Sequence, residues 1–262
     1  MQHSLGLKGP DKLHMTARFD RFDRRAAPHI LPSEVMYDSL FPMRYDQGSV
    51  GACGAFSTGA IYEAVLAKHF KQPITPISKR AFYTLTLVNY EAANAGQDAG
   101  VYLGDACSTI TNIGHVDESK WPEEDSVGSD YFAIPDSSLI SKHLNALRFI
   151  RVGGYTNVVD SASHLHDAIN AALYAHGPLV YGGTWANDWF DVGRDGVLNP
   201  TPTQGPVGGH ARVYLGYSDK RQARLCLNSW GTSWGANGLY WEPYNLATEY
   251  LPTDVYALVI PQ

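Results

Sequence analysis

The chain has 262 residues, 44% hydrophobic and 18% charged, the balance of an ordinary globular protein with enough apolar material for a sizeable core. Its net charge of -6 argues against a nucleic-acid platform, and no run approaches the 18 or so apolar residues of a membrane span or the apolar core of a signal peptide. Cys53, Cys107 and Cys226 are an odd number without framework spacing, so the expected setting is reducing and cytoplasmic.

Residues 1–29 carry six basic and three acidic side chains, +3 against -9 for the remainder, and are expected to form an extension docked on the body and bordering or crossing its cleft. Phe19, Phe22 and Ile30 are its expected anchors, with arginines meeting surface carboxylates. Residues 30–262 form the main domain. Its first signal is Gln47 to Ser57, Q-G-S-V-G-A-C-G-A-F-S, where Cys53 sits between glycines. From there Ala55, Phe56, Ala60, Ile61, Ala64, Val65 and Leu66 recur at helical spacing up to Lys68 and His69. A second helical pattern runs from Pro76 to Ala93. A third, Leu103 to Ile113, places Cys107 on an apolar face as a small buried hydrophobe. Short helical signal spans Ser137 to Leu147, and a clearer helix spans Ser161 to His176, with Ser161 or Ser163 as N-cap and Gly177-Pro178 as stop. Strands are predicted near Leu179 to Trp185, Ala211 to Tyr217, Ala223 to Asn228, Gly238 to Trp241 and Val255 to Ile260, forming an antiparallel sheet that closes on itself. Cys226 alternates with Leu225 and Leu227 there and reads as core.

A thiol at a helix N-terminus beside an imidazolium ionises easily, its pKa falling from about 8.5 to as little as about 3.5. Cys53 meets the first condition, at a place where helix dipole and solvent are expected to meet. His210 follows Gly208-Gly209 at the predicted start of a strand, and Asn228 closes another, opening N-S-W-G-T-S-W-G. Trp230 and Trp234 in that motif shield an Asn-His hydrogen bond from water. The Gln47 amide, six residues before Cys53, suits an oxyanion donor beside the Cys53 N–H. Metal chemistry fits poorly. His164 and His166 point to different faces of a helix, and Asp188, Asp191 and Asp195 lack a calcium-loop pattern. No cofactor is called for.

Gly51-Ala52-Cys53, the Gln47 spacing, G-H-A around His210 and N-S-W-G-T-S-W-G-x-N-G from Asn228 together resemble the papain (C1) family of cysteine peptidases, and Y-D-Q-G-x-x-G-A-C resembles its short bacterial and phage branch. The resemblance covers roughly residues 30–262. It implies an α+β, two-lobed fold, a helical lobe mainly in 45–150 and an antiparallel β-barrel lobe mainly in 151–262, with the active site in the cleft between. Cys53, His210, Asn228 and Gln47 are its implied catalytic set. Gly100, in Q-D-A-G-V-Y-L-G-D, is the candidate for pairing with substrate backbone, with Val101 and Tyr102 lining a pocket and Gly209, Trp230 and Trp234 completing the binding surface. Two positions depart from the family pattern. Val50 replaces a half-cystine, and Gly54 replaces a tryptophan, which implies a wider primed side. Cys53 and His210 lie 157 residues apart, slightly beyond the family range of about 130 to 150, implying an insertion. The implied activity is hydrolysis of peptide or protein substrates through a Cys53 thioester, by default endopeptidase. Alternatives are an amidase or acyl transferase on cell-wall or other non-protein substrates, and a gated, weakly active structural or virion-associated relative.

Overall fold

The computed structural model describes residues 3–9, 20–26, 28, 30–124, 127–128, 130–142, 147–153 and 162–260. Among the described residues four α-helices pack on an eight-stranded, mainly antiparallel sheet. Helix α1 is Cys53–Phe70, α2 Lys79–Tyr90, α3 Leu103–Ser108 and α4 Ala162–His176. The strands are β1 Asp20–Arg21, β2 Glu34–Met36, β3 Arg148–Gly153, β4 Leu179–Ala186, β5 Pro206–Ser218, β6 Ala223–Leu227, β7 Leu239–Pro243 and β8 Pro252–Val259. Their order is β1-β3-β8-β4-β5-β6-β7, with β2 added to the far end of β5.

The long strand β5 organises the molecule through its alternation. Ala211, Val213 and Leu215 belong to the core shared with α1, while Tyr214 and its neighbours on the opposite face join the core shared with α4, Tyr181, Trp185 and Trp230. Helix α1 is buried along most of its length, and its one acidic residue there is compensated. Glu63 accepts from Lys79 Nζ at 2.5 Å, the Ile77 N–H at 2.7 Å and the Tyr45 hydroxyl at 2.7 Å, which ties α1 to α2. Ser78 caps α2 by accepting from the Ala81 N–H at 2.9 Å.

Several sequence expectations change. The predicted helix from Leu103 is α-helical only to Ser108 and continues as a π-helical turn, Thr109–Ile113. The signal at 137–147 gives a single 3-10 turn, Ser137–Leu139, and residues 143–146 and Ser161 lie outside the described residues. The sheet also differs from a closed barrel: among the described residues no ladder joins β7 to β1, and β1 pairs in parallel with β3. Strands β1, β2 and β3 are too short or too charged to show alternation, so they left no clear period. All three cysteines are free and buried, with Cys107 and Cys226 in the cores as expected.

Candidate active site

Cys53 opens α1 with its sulfur against β5, where the Ala211 N–H reaches Sγ at 3.4 Å. The next residue toward the strand start is His210. Contrary to the sequence expectation, it lies within β5, opposite Gly183 of β4, because Pro206, Gly208 and Gly209 are already paired. The glycines there are strand residues that leave room for something lying on them. His210 Nε2 is 2.7 Å from Asn228 Oδ1, which also accepts the Ser229 N–H at 2.8 Å. Asn228 Oδ1 is thus an acceptor and Nε2 carries the hydrogen, which leaves Nδ1 of a neutral ring unprotonated. Nδ1 is buried without a hydrogen-bond partner, a ready acceptor for a thiol proton.

Aromatic rings enclose this pair. Trp230 stacks on His210 with centroids 4.8 Å apart, and Trp185 meets it edge-on at 5.0 Å. Trp234 lies behind, edge-on to Trp230 at 5.3 Å, and its indole N–H donates to Phe190 O at 3.1 Å. Trp234 therefore supports the shield from inside the core, and Trp185, part of a predicted strand, was not singled out as a site residue. Gln47 is buried, its Oε1 accepting from Ser229 Oγ and its Nε2 donating to Val50 O at 2.7 Å. Asp98 ties the turn before Cys53 to the Gly100 strip: it accepts the Gly51 N–H at 2.9 Å and the Tyr83 hydroxyl at 2.9 Å, while Tyr83 Oη accepts the Gly100 N–H at 2.8 Å.

The cleft is filled by the chain itself. Residues 3–9 run through it as an extended strap that bridges Gly209 in antiparallel and Val101 in parallel sense. The Leu7 N–H donates to Gly209 O at 3.1 Å, the Lys8 N–H to Val101 O at 3.0 Å and the Val101 N–H to Gly6 O at 2.8 Å. The residue that pairs with peptide backbone is thus Val101, not Gly100. Gly100 has φ +69°, and a Cβ there would stand 2.2 Å from Gly6 O, so its role is to let the strap approach. Leu7 is buried against Leu103 and Gly182, and a Cβ on Gly182 would collide with it. Tyr102 stands beside this pocket with Lys8 Nζ 5.5 Å from its ring, and Lys8 pairs with Glu91. Gly6 passes the turn before Cys53 so closely that a Cβ would lie 1.7 Å from Gly51 O. Its backbone also hydrogen-bonds the sulfur. On the other side of Cys53, Gln47 Nε2 donates to Ser4 O at 3.2 Å and His3 stacks on Trp230 at 4.6 Å.

This arrangement reverses the expected electrostatics. Cys53 and His210 are both fully buried, so burial pushes the thiol up to about 11 and the imidazole down to about 3. With the strap seated the pair is a neutral thiol and a neutral imidazole. The docking contacts also differ from those expected. Ile30 is 89% exposed, Arg24 and Arg25 bond to Pro28 O and Asp23 within the same segment, and among the described residues the ion pairs to the body are Lys8–Glu91 and Asp20–Arg148. Phe22 does pack, edge-on to His176 at 5.5 Å; Phe19 lies outside the described residues. Gly54 does not widen the cleft, because the space of a side chain there is taken by Val101 Cγ2, 2.7 Å from its would-be Cβ. Among the described residues no group of three or more His, Cys, Asp or Glu side chains forms a metal cradle.

A buried cysteine at a helix start, an imidazole held by an asparagine and a peptide lying across both coincide with a sequence match. The family profile described as papain family cysteine protease covers residues 38–247. The chain belongs to the papain family of cysteine proteases. Its chemistry is accordingly peptide hydrolysis through a thiol. Among solved structures it is similar to xylellain, a cysteine protease from Xylella fastidiosa, at TM-score 0.73 and 22% identity over 100% of this chain and 99% of that one. Digestive procathepsin L 3 of Tenebrio molitor matches at TM-score 0.66 and 20% identity over 93% and 76%. Among curated sequences, an uncharacterized peptidase C1-like protein of Acanthamoeba polyphaga mimivirus is 24% identical over 95% of this chain and 84% of its own length. Cathepsin L of Sarcophaga peregrina is 25% identical over 74% of this papain-family chain, which spans about half, 52%, of that relative.

Proposed function

We propose that the protein is a papain-like endopeptidase in which Cys53 attacks the scissile carbonyl and His210 protonates the leaving amine and then activates water. Asn228 orients the imidazole, and Gln47 Nε2 with the Cys53 N–H stabilises the oxyanion. One observation carries the endopeptidase reading: a peptide segment lies extended across the sulfur and continues on both sides, from His3 on Trp230 to Lys8 on Val101. A cleft open at both ends takes an internal stretch of polypeptide. The test is digestion of a denatured protein followed by mapping of product termini; internal fragments support the reading, whereas release of only single residues or dipeptides from the ends, or turnover of cell-wall amides alone, sinks it. We place the protein in the short bacterial and phage branch of the family, a reading supported by the end-to-end structural likeness to the Xylella enzyme.

Residues 3–9 act as an inhibitor in this proposal, not as a substrate. Gly6 meets the sulfur through its backbone hydrogen bond, its carbonyl is engaged by Val101, and the carbonyl held by Gln47 belongs to Ser4, two residues away. The carbonyl on Gln47 thus belongs to a different peptide unit from the Leu5–Gly6 amide that meets the sulfur.

Protonation should loosen the strap. His3 and His210 are both lowered by burial when covered, so they bind protons more readily once uncovered, and closure weakens as pH falls below about 6.5 toward 3. Cys53, raised by burial, has the opposite sign: closure favours the protonated thiol and weakens as pH rises through the uncovered thiol's range toward 11. Hydrogen exchange at the Leu7 and Lys8 amides, corrected for intrinsic rates, is expected to show protection at pH 7 that fades by pH 4. Constant protection over that range would refute the linkage.

Gln47→Ala is expected to lower kcat about 10²- to 10³-fold with little change in KM, as for one lost oxyanion donor. A rise in KM alone would assign Gln47 to ground-state binding. Asn228→Ala should cost less than His210→Ala, since it loses orientation while base and nucleophile persist.

A further inference from the structure

Behind the imidazole stands a charge that the peptidase chemistry just described does not use. On one face of β5, His210, Arg212 and Tyr214 follow one another at alternate positions. Arg212 is fully buried. Its guanidinium lies 4.4 Å from the Tyr181 ring and 5.1 Å from the Trp185 ring, the same indole that meets His210 edge-on. None of its three nitrogens has a hydrogen-bond partner, and its ion pair is with Glu242 Oε2 at 3.6 Å. Glu242 lies on the far side, where its carboxylate accepts from the hydroxyls of Tyr214 at 2.5 Å and Tyr181 at 2.7 Å. Imidazole and guanidinium follow one another along β5, and the carboxylate reaches the guanidinium from β7. The glycine opposite His210 helps to make the space: a Cβ on Gly183 would stand 3.1 Å from an Arg212 nitrogen.

A buried cation with loose hydrogen bonding is expensive to keep and is not required for packing, because aliphatic or aromatic side chains would fill the same site. We propose that Arg212, anchored by Glu242, is a positioning residue for the thiol chemistry: its fixed positive charge lies behind the imidazole and sets the pH window in which Cys53 and His210 work. The argument is one of sign. Each proton that leaves the Cys53–His210 pair removes positive charge from beside a cation, so both ionisation steps of the pair move to lower pH, whichever atom carries the proton. Glu242 opposes this, but from behind the guanidinium. The same direction is seen at both groups, where Arg212 lowers His210 and Cys53.

The other groups facing His210 come from four elements. From α1 comes Cys53, from the strap His3, from β4 the neutral Trp185, and from the segment after β6 Asn228 and Trp230. Tyr181, Tyr240 and Glu242 lie beyond Arg212 and hydrogen-bond to one another through Tyr181. Cys53 and His3 are present in every variant below, which leaves the Arg212–Glu242 pair as the altered charge.

The experiment uses the full chain carrying Leu7→Ser, which opens the cleft equally in each variant without adding charge. Iodoacetamide alkylation of Cys53, followed by mass spectrometry of its peptide, gives the thiolate midpoint, and kcat/KM against pH gives both limbs. Arg212→Met with Glu242→Gln, which removes the pair without stranding a buried carboxylate, is expected to move both limbs up by about 0.5 to 1 pH unit. Glu242→Gln alone leaves the cation uncompensated and should move them down. Arg212→Lys keeps the charge and should keep the limbs near the parent. A role in packing alone predicts lower melting temperatures with unmoved limbs. Should the double variant fail to fold, Glu242→Gln decides: a downward shift supports the proposal, and unmoved or raised limbs overturn it. The inference rests on the thiol–imidazole reading, whose own failure would show separately as absence of Cys53 alkylation in the parent.

Discussion

Replacing Cys53 by alanine is expected to abolish peptide hydrolysis, a loss of about 10⁴-fold or more, since removal of a catalytic nucleophile leaves only binding and oxyanion contacts. Cys107→Ala and Cys226→Ala should retain activity. Both thiols are fully buried, in separate cores, Cys107 near Thr58 and Cys226 beside the Tyr181 hydroxyl at 3.3 Å. Burial raises both well above the ordinary thiol range, which keeps them protonated and unreactive. The comparison needs one assay of a denatured protein substrate for the three variants. Activity persisting in Cys53→Ala would remove the assignment, and its loss in Cys107→Ala, with the fold intact by circular dichroism, would extend the chemistry to a second thiol.

Leu7→Ser carries the second large effect, in the opposite direction. Leu7 is the strap residue buried between Leu103, Gly182 and Gly209, and it is 8% exposed. Withdrawing a leucine from such a site forfeits about 1.5–3 kcal/mol of burial, which shifts the closed–open balance about 10- to 100-fold. Peptidase activity at neutral pH should rise accordingly, up to the point at which the cleft is fully open. The fold should hold, because Leu7 is the strap's one buried contribution to a core whose other members come from the body, and Leu5 only packs, partly buried, against the second. Unchanged activity with released strap amides would show that residues 3–9 do not limit access.

What the sequence disclosed depended on whether a residue's meaning was local. The α1 helix and its leading Cys53 follow from helical spacing after a glycine-rich turn, and Asn228 from the motif that begins with it. His210 was placed at a strand start because Gly208 and Gly209 look like turn residues; only the pairing of β5 with β4 reveals them as strand glycines under the strap. The same limit separated Gly100 from Val101. A glycine advertises close approach, but which neighbouring amide forms the hydrogen bonds depends on a partner that is distant in sequence.

The strap shows this most sharply. Its charge suggested arginine ion pairs, yet the strap is held by backbone hydrogen bonds, by Leu7 and by the Lys8–Glu91 pair, in S-L-G-L-K, a stretch too short to have a period. Nothing local marks those residues until a cleft with Val101 on one wall and Gly209 on the other is present. Arg212 was hidden for a related reason: within Ala211 to Tyr217 it reads as one polar residue in an apolar strand, and its partner Glu242 is 30 residues away on β7.

Covalent labelling at Cys53 tests the central claim most directly. The wild-type chain and Leu7→Ser are incubated at pH 7 with an epoxide that alkylates papain-like thiols, and the modified residue is located by peptide mass spectrometry over time. The account predicts modification at Cys53 alone, slow in the wild type and about 10- to 100-fold faster in Leu7→Ser, with Cys107 and Cys226 unmodified in both. Equal rates in the two chains, or label on Cys107 or Cys226 while Cys53 stays free, would contradict it.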